Sequence, residues 1–385
     1  MAFAQRLPTA FYSSVQADVR SRLATAGFAA GIFDDPDDVA YLTGFFHFPN
    51  ERPVAVWLSS DSVVLLVPEL EREYAEHQRA AAELVSYPEF PGVRPPFTVL
   101  AAEVGAPGGP VGYGDSTTTG RLAAMRAAFS GAVFERTDAV PAARLIKRPE
   151  EIALHREAAR ITDLMLAAGR ERVSQARSEL PTEAELAALV SGVGTSVMYA
   201  EHDDVVVVPH LADGLVYSGP NSARPHALPS GRRLAPGEPF MLSLGAGVGG
   251  RHVECERTFF LGEPDANQAR YYSVVLAAQQ AGLAGLRAGR RCCDVNAECL
   301  AVIRDAGLTQ YLRHRQGHGI GVNIHEPPWL EDGDDSVLAR DMIVSDEPGL
   351  YVPGLAGFRI SDSVLIGDGP LTAYPKNLDD IVIAS

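Results

Sequence analysis

The distribution of apolar residues changes near residue 145, and this change divides the chain into two predicted domains. Before it, short apolar runs such as Val54–Leu58 alternate with helical patterns, which is typical of an α/β layer. After it, Pro149 and two glutamates are typical of the first turn of a helix, which we expect to run to about Arg172. The later apolar runs predict a mostly antiparallel sheet with helices between its strands. We therefore predict an α/β domain over residues 1–145 and an α+β domain over residues 146–385.

The charge and the cysteine pattern exclude several classes of protein. The 385 residues include 49 acidic and 33 basic ones, a formal net charge of −16, which argues against binding a nucleic acid by phosphate neutralisation. No apolar run approaches the roughly 18 residues that span a bilayer, and residues 1–10 lack the apolar segment of an export signal. The four cysteines form no CxxC pair, which favours buried thiols over a zinc site. We therefore expect a cytoplasmic protein that binds neither nucleic acid nor membrane.

A glycine-rich segment, Gly245–Gly250, matches the pattern GxGxxG, which in dinucleotide-binding proteins connects a strand to a helix. Here the following residues, Arg251–Phe260, are rich in strand formers, whereas a bound phosphate would need the N-terminus of a helix. The sequence therefore predicts a glycine-rich β-hairpin and no dinucleotide site.

The second strand of this predicted hairpin places His252, Glu254 and Glu256 on one face, because side chains alternate along a strand. If this face is exposed to solvent, the cluster has no functional meaning. If the face is buried, the two carboxylates repel each other, and a proton or a bound cation must separate them. The residues leave both alternatives open at this point.

Three further histidines and a glutamate lie in segments rich in glycine or proline. His318 and His325 occupy one glycine-rich loop, Gln316–Pro328, where the backbone can approach a ligand closely. Glu347 precedes a Pro-Gly turn at the end of a predicted strand, and His226 ends the segment Ser218–His226. Each segment alone is weak evidence for a functional site, since a single histidine is more often structural.

In their order along the chain, these segments resemble the signature blocks of the creatinase, prolidase and methionine aminopeptidase superfamily. The blocks are Ser218–His226, Leu244–Ala246 with Arg257–Phe259, Gly317–Gly321 with His325–Pro328, Glu347–Tyr351 and Gly357–Asp362. The resemblance covers residues 146–385 closely, and Asp35–Pro53 is more loosely similar to the N-terminal domain of the creatinase and prolidase branch. It implies a "pita-bread" catalytic domain, an antiparallel sheet flanked by helices, preceded by an α/β creatinase-type N-terminal domain. It also implies a homodimer and chemistry on a C–N bond of a small substrate.

The resemblance also implies a metal site, and here the chain departs from the family. The peptidases of the family hold two divalent ions with Asp, Asp, His, Glu and Glu, and these positions fall on Ser243, Glu254, His318, Glu347 and Ser361. Two carboxylates are thus replaced by neutral hydroxyls, which are poor ligands for hard divalent ions. We therefore expect the dinuclear site to be absent and no metal cofactor to be needed. A single Mn or Zn ion on Glu254, His318 and Glu347 is the alternative.

The creatinase branch provides a precedent for hydrolysis without metal, and the resemblance carries its residues over to this chain. It implies His226 as the catalytic histidine, with Glu256 and Glu347 binding a cationic substrate group, because carboxylates bind a guanidinium through paired hydrogen bonds. We therefore predict a metal-independent hydrolase of a small C–N substrate. The predicted catalytic residues are His226, His318 and His325, and the predicted substrate-binding residues are Glu254, Glu256, Glu347, Arg359 and Arg52.

Two alternatives to the creatinase-like hydrolase remain. The first is an Xaa-Pro dipeptidase-like or aminopeptidase-like peptidase that acts on a dipeptide with one metal ion or none. The second is a catalytically silent binding protein, because the pita-bread fold also occurs in a histone-chaperone subunit that has lost its ligands. The joint presence of three histidines and three glutamates argues against the silent protein.

Overall fold

The secondary structure is given by a computed structural model that describes residues 2–89, 94–176, 179–208 and 211–384. In chain order, the strands are β1 (Phe3–Ala4), β2 (Ala30–Phe33), β3 (Ala55–Ser59), β4 (Val63–Pro68), β5 (Glu83–Tyr87), β6 (Val111–Tyr113), β7 (Phe134–Arg136), β8 (His202–Asp203), β9 (Ala212–Ser218), β10 (Pro239–Val248), β11 (Arg251–Leu261), β12 (Gly317–Gly319), β13 (Glu326–Leu330), β14 (Ile343–Asp346), β15 (Gly349–Val352), β16 (Ala356–Arg359), β17 (Ser361–Leu365), β18 (Gly369–Pro370) and β19 (Val382–Ile383). The helices are α1 (Thr9–Thr25), α2 (Pro36–Thr43), α3 (Glu69–His77), α4 (Pro96–Val104), α5 (Thr119–Ala128), α6 (Ala139–Arg144), α7 (Pro149–Ser174), α8 (Glu183–Glu201), α9 (Gly219–Ser222), α10 (Ala266–Gly285), α11 (Cys292–Asp305) and α12 (Leu378–Ile381).

The described chain folds as two compact units. One unit comprises Arg6–Arg144, and the other comprises the segment that ends at Gln5 together with the chain from Leu145 onward. Among the described residues, no helix is both long enough and apolar enough to cross a membrane.

The unit Arg6–Arg144 is built on a mixed sheet with the order β5-β4-β3-β2-β6-β7 in the described residues. Its core includes Trp57 on β3, whose ring stacks on Phe129 with centroids 5.3 Å apart. Side-chain caps begin two of its helices, α2 and α5. For example, α2 begins after Asp35, whose side chain accepts hydrogen bonds from the backbone of Asp37 and Asp38, and it ends at Gly44 in the left-handed conformation.

The larger unit contains a sheet whose main path is β13-β12-β14-β17-β11-β10-β9, with β18 and β19 at its margins. Adjacent strands along this path are antiparallel, and helix α7 packs on β10 and β11. Strands β10 and β11 form one long hairpin whose turn is made by Gly249 and Gly250, both with positive φ. The predicted glycine-rich hairpin is confirmed, because a strand and not a helix follows the GxGxxG segment.

Strand β11 is buried along all eleven residues, which excludes the alternative of a solvated face. Its register places Glu254 opposite Gly245 of β10, and places Glu256 between Ser243 of β10 and Ser361 of β17. Three neighbouring strands thus bring carboxylates and hydroxyls to one face of the sheet, where the charges must be balanced.

Candidate functional site

Two adjoining cavities of about 300 and 260 Å³ share His226, His325, Glu347 and Arg359 among their lining residues, so we describe them as two lobes of one site. The first lobe is also lined by His314, Arg315, His318 and Glu331. The second lobe is also lined by Asp213, Leu215, Ser243, Glu254, Glu256 and Ile324. Cavities of about 300–1,000 Å³ are typical of small-molecule sites.

Three side chains at the junction of the lobes are placed to hold a cation. Glu254, His318 and His325 each offer one ligand atom, and these atoms lie within 4.8 Å of one another. The ring of His318 packs against that of His325, with centroids 4.1 Å apart. Glu347 lies beside them, with its Oε1 atom 3.2 Å from Nε2 of His318.

The backbone orients His318 for this role. Its Nδ1 atom lies 3.1 Å from the carbonyl oxygen of Gly319, which can only accept a hydrogen bond, so Nδ1 carries a proton. Its buried Nε2 atom lies between the carboxylates of Glu254 and Glu347 without the geometry of a hydrogen bond to either. Nε2 is therefore the atom on which a proton or a metal ion would be placed.

The pKa values of Glu254, His318 and Glu347 show how strongly these three groups interact. Burial, followed by the charge of Glu347, raises the pKa of Glu254 to about 8. Burial acts to raise the pKa of Glu347, but interaction with His318 outweighs it and lowers the pKa to about 2. Burial acts to lower the pKa of His318, but Glu254 and Glu347 outweigh it and raise the pKa to about 9. A proton on His318 would balance the charge of these carboxylates, and a bound metal ion would take its place.

The donor set fits one divalent ion. One carboxylate with two imidazoles is a common ligand set of single-ion catalytic sites, in which open positions receive water or substrate. The buried Nε2 of His318 supports the fit, because it faces the carboxylates of Glu254 and Glu347 at 3.6 and 3.2 Å without forming a hydrogen bond to either. The predicted ligands of a single ion were Glu254, His318 and Glu347. In the structure, His325 takes the place of Glu347 in this ligand set, and Glu347 lies next to it.

Arg359, on β16, occupies the other side of the carboxylate cluster. Its Nε atom lies 2.5 Å from Oε2 of Glu256, and its Nη2 atom donates to Oε1 of Glu256 at 2.5 Å. Glu256 also accepts a hydrogen bond from the Ser243 hydroxyl. The cation that Glu256 contacts in the structure is therefore an arginine of the same chain.

The segment that carries His226 is organised by a carboxylate that the sequence did not reveal. Glu183, buried at the start of α8, accepts hydrogen bonds from the backbone and hydroxyl of Ser218 and from the side chain of Asn221. Tyr217 donates to the carbonyl oxygen of Pro225 at 3.2 Å, immediately before the exposed His226. These contacts hold the segment Ser218–His226 in place. His226 itself lines both lobes.

The structure brings most of the predicted site residues together within the larger unit. His226, His318, His325, Glu254, Glu256, Glu347 and Arg359 all line the two lobes. At one of the predicted lost ligand positions, the Ser361 hydroxyl lies 3.4 Å from Oε1 of Glu254. Arg52 belongs to the other unit, where its guanidinium contacts Glu51 and Glu89. The roles assigned to these residues stay predictions.

Several lining residues were missed by the sequence analysis. Arg315 lies over the ring of Trp329, with its guanidinium carbon 4.4 Å from the ring centroid, and pairs with Glu331 at 2.5 Å. His314 contacts the hydroxyl of Tyr351 at 2.8 Å. In the sequence, His314 and Arg315 directly precede the loop Gln316–Pro328, and this position could have indicated a role in the site. The residues around them do not distinguish them from surface residues.

Comparisons with known proteins place this site in context. Residues 153–368 match the profile of Metallopeptidase family M24, and residues 16–148 match that of the Creatinase/Prolidase N-terminal domain. The chain is 32% identical over 367 residues to a "Probable dipeptidase PepE" of Mycobacterium tuberculosis, covering 94% of each protein. It is 29% identical over 364 residues to an "Xaa-Pro dipeptidase" of Lactobacillus delbrueckii subsp. lactis, covering 91% of this chain and 95% of that relative.

A solved structure extends the similarity to the whole fold. The structure of dipeptidase PepE from Mycobacterium ulcerans matches with a TM-score of 0.84 and 28% identity, over 99% of this chain and all of that chain. The predicted superfamily resemblance and the predicted fold class are thereby confirmed.

The prediction that no metal cofactor is needed is wrong. The larger unit matches a metallopeptidase family, and Glu254, His318 and His325 present three ligand atoms together. The sequence argument counted the two carboxylates replaced at Ser243 and Ser361, but it did not anticipate that His325 folds back beside His318. The relatives also favour the peptidase alternative over the creatinase-like hydrolase and the silent protein.

Proposed function

This chain belongs to Metallopeptidase family M24, and from that premise we propose that it is a dipeptidase that hydrolyses the Xaa-Pro amide bond with the help of one divalent metal ion. The observation that carries the proposal is the group of Glu254, His318 and His325 at the junction of two lobes. The dipeptidase names of relatives that span nearly the whole chain support the choice of substrate.

Glu254, His318 and His325 are the residues that would hold the ion. A bound Mn or Zn ion supplies a Lewis acid for the scissile carbonyl and a means of activating water. Glu347, whose carboxylate stays ionised beside His318, orients the reacting groups and stabilises positive charge in the site.

His226 moves the proton that the reaction requires. Hydrolysis adds the oxygen of water to the carbonyl carbon, breaks the C–N bond and delivers a proton to the proline nitrogen as it leaves. An imidazole can accept the proton from water and pass it to the leaving nitrogen, and such general acid–base catalysis is worth about 10²–10⁴-fold. The position of His226 in the lining of both lobes and its exposure support this role.

The two lobes suit the two ends of a dipeptide. Arg315 lines the first lobe, and its guanidinium is the group to receive the substrate carboxylate, because its side chain is 32% exposed although it pairs with Glu331, whereas that of Arg359 is 4% exposed. Asp213 lines the second lobe, where an anionic side chain favours the substrate ammonium. Both ends of a short substrate are thereby recognised, which favours dipeptides over longer peptides.

The proposal is tested with a substrate panel on the full chain loaded with Mn²⁺ or Zn²⁺. Ala-Pro and Met-Pro should be hydrolysed, Ala-Ala and Ala-Pro-Ala should react at least tenfold more slowly, and creatine should not react. Turnover of creatine that survives a chelator would overturn the proposal in favour of the metal-independent hydrolase. Absence of any amide hydrolysis by the metal-loaded protein would overturn it in favour of the silent binding protein. Gel filtration in the same buffer tests the predicted homodimer.

A further inference from the structure

A buried ion pair adjoins the two histidines of the candidate metal site. Nζ of Lys147 lies 2.9 Å from Oε1 of Glu326, and the two side chains are 2% and 6% exposed. Lys147 precedes α7, whereas Glu326 is the first residue of β13, 179 positions further along the chain. Neither of these two described side chains is among the lining residues of the lobes, so the pair has no place in direct substrate contact.

The backbone connects Glu326 to both histidines. Glu326 directly follows His325, and in the register of β12 and β13 it lies opposite Gly319, which is the neighbour of His318. The loop that carries His325 therefore rejoins the strand that carries His318 at Glu326, and the two rings lie 4.1 Å apart. A contact that holds the Glu326 side chain also holds the backbone on which the His325 ring is mounted.

The loop before Glu326 is folded around its carboxylate. Oε2 accepts a hydrogen bond from the backbone amide of Asn323 at 3.3 Å, and the Asn323 side chain accepts one from the backbone amide of His325 at 2.9 Å. Gly321 leaves room for the carboxylate, because a β-carbon at this position would collide with Oε1 of Glu326. Lys147 supplies the contact that ties this folded loop to a segment outside it.

Burial makes this tie strong. A buried charge that loses its partner destabilises a protein strongly, whereas a buried pair that is replaced by neutral groups of similar size often does not. Displacement of the loop would separate the Glu326 carboxylate from Lys147 and leave both charges buried. The folded chain therefore keeps Glu326 beside Lys147, and the loop that carries His325 stays with it.

We infer that Lys147 is a positioning residue of this site, which through Glu326 holds the ring of His325 beside that of His318. The inference rests on the proposed function insofar as that function assigns both rings to one ion. Residues behind the ligands of a metal ion orient those ligands, and their replacement typically lowers metal affinity about 10–100-fold. Lys147 acts in this way without a contact to the ion.

A double-mutant cycle on Mn²⁺ affinity tests this inference. Equilibrium dialysis with elemental analysis gives the Kd of the wild type, Lys147→Met, His325→Ala and the variant that carries both substitutions. Lys147→Met should raise the Kd about 10–100-fold in the wild-type background but less than about twofold in the His325→Ala background, because its effect passes through the His325 ring. An equal rise in both backgrounds, or no rise in the wild-type background, would overturn the inference.

Two further variants separate positioning from stability. Glu151→Gln breaks a similarly buried ion pair of the same unit, with Arg251, and should lower the melting temperature without a change in Kd. A rise in Kd as large as that of Lys147→Met would assign the effect to lost stability and overturn the inference. Lys147→Met/Glu326→Gln leaves no unpaired charge, so it should fold even if Lys147→Met does not. Its Kd should still be about tenfold or more above that of the wild type, and a wild-type Kd would overturn the inference.

Crystal structures make the test independent of the proposed function. The ring centroids of His318 and His325 should move apart by about 1 Å or more in Lys147→Met/Glu326→Gln. An unchanged separation would overturn the inference, even if the variant loses activity. A wild type that binds no Mn²⁺ or cleaves no Xaa-Pro dipeptide, together with displaced rings in the variant, would refute the proposed function and leave this inference standing.

Discussion

The Nδ1 atom of His318 lies 3.1 Å from the carbonyl oxygen of Gly319, and this contact turns the opposite ring nitrogen toward Glu254 and Glu347. The tautomer of a metal-binding histidine is set by the partner of its second nitrogen. The backbone therefore prepares His318 to receive an ion before any ion arrives.

Removal of metal should abolish hydrolysis of Ala-Pro and lower the melting temperature. An ion bound only to the folded state at a hundred times its Kd stabilises that state by about 2.7 kcal/mol. Both properties should return when Mn²⁺ is added to the wild type but not to His318→Asn. His77→Asn, an exposed histidine on α3, is the control and should behave as the wild type. Full turnover by protein shown to be metal-free would contradict the expectation.

Replacement of His226 by Ala should lower kcat by about 10²–10⁴-fold, because proton transfer to the leaving nitrogen loses its carrier. The metal content and the melting temperature should not change, since the side chain is exposed and lies outside the ligand set. Leu228→Ala, in the same loop and 75% exposed, provides the matched control. Equal kcat values for the two variants would remove His226 from the mechanism.

Replacement of Arg315 by Gln should raise the KM for Ala-Pro about tenfold while kcat changes little, because a charged hydrogen bond to the substrate carboxylate is lost. The carboxamide of the same dipeptide should show no such increase, since it has no carboxylate to bind. Arg313→Gln, an exposed neighbour, is the control. If the KM values of the dipeptide and the carboxamide rise equally, Arg315 acts through its packing on Trp329 and not through its charge.

Replacement of Gly319 by Ala should weaken metal binding and lower stability by about 1–3 kcal/mol. A β-carbon at this position would collide with the backbone carbonyl oxygens of Glu326 and Pro327, and so would push β12 away from β13. Gly192→Ala in α8 meets no atom and should leave stability unchanged or raise it by about 1 kcal/mol. Urea denaturation with and without Mn²⁺ measures both effects. Equal free energies of unfolding for the two variants would contradict the expected collision at position 319.

The stability that the unit Arg6–Arg144 gains from His47 should fall as the pH is lowered from 6.5 to 4, and it is measured as the difference between the wild type and His47→Asn, because Asp38, whose pKa burial raises to about 7, acts with the opposite sign in both proteins. Burial and then the charge of Arg121 lower the pKa of His47 from 6.5 to about 4. The unfolded chain therefore binds a proton first as the pH falls, which costs the folded state about 1–3 kcal/mol. Fluorescence of Trp57 in a Trp329→Phe background follows this unit. As the pH falls, the free energy of unfolding should decrease more, or increase less, in the wild type than in His47→Asn, and identical pH profiles of the two proteins would contradict the role of His47.

Local patterns in the sequence were enough to predict the hairpin and the shared strand face of Glu254 and Glu256. Side chains alternate along any strand, and glycines with positive φ suit a tight turn, so both features follow from neighbouring residues. The superfamily resemblance was also confirmed, because it depends on the order of short motifs and not on how they pack.

The partners of the charged residues could not be predicted in this way. Glu256 and Arg359 are 103 positions apart, and the contact of the His318 and His325 rings depends on how the intervening loop folds back. The cofactor prediction was wrong for this reason, since it counted lost carboxylates without knowing which histidines converge.

The sequence by itself determined the superfamily, the two kinds of domain and the inventory of acids and histidines, because these depend on local order and residue type. Tertiary structure alone decided which carboxylate meets a guanidinium and which meets an imidazole. Electrostatic interactions act between groups that folding brings within a few ångströms, whatever their separation along the chain.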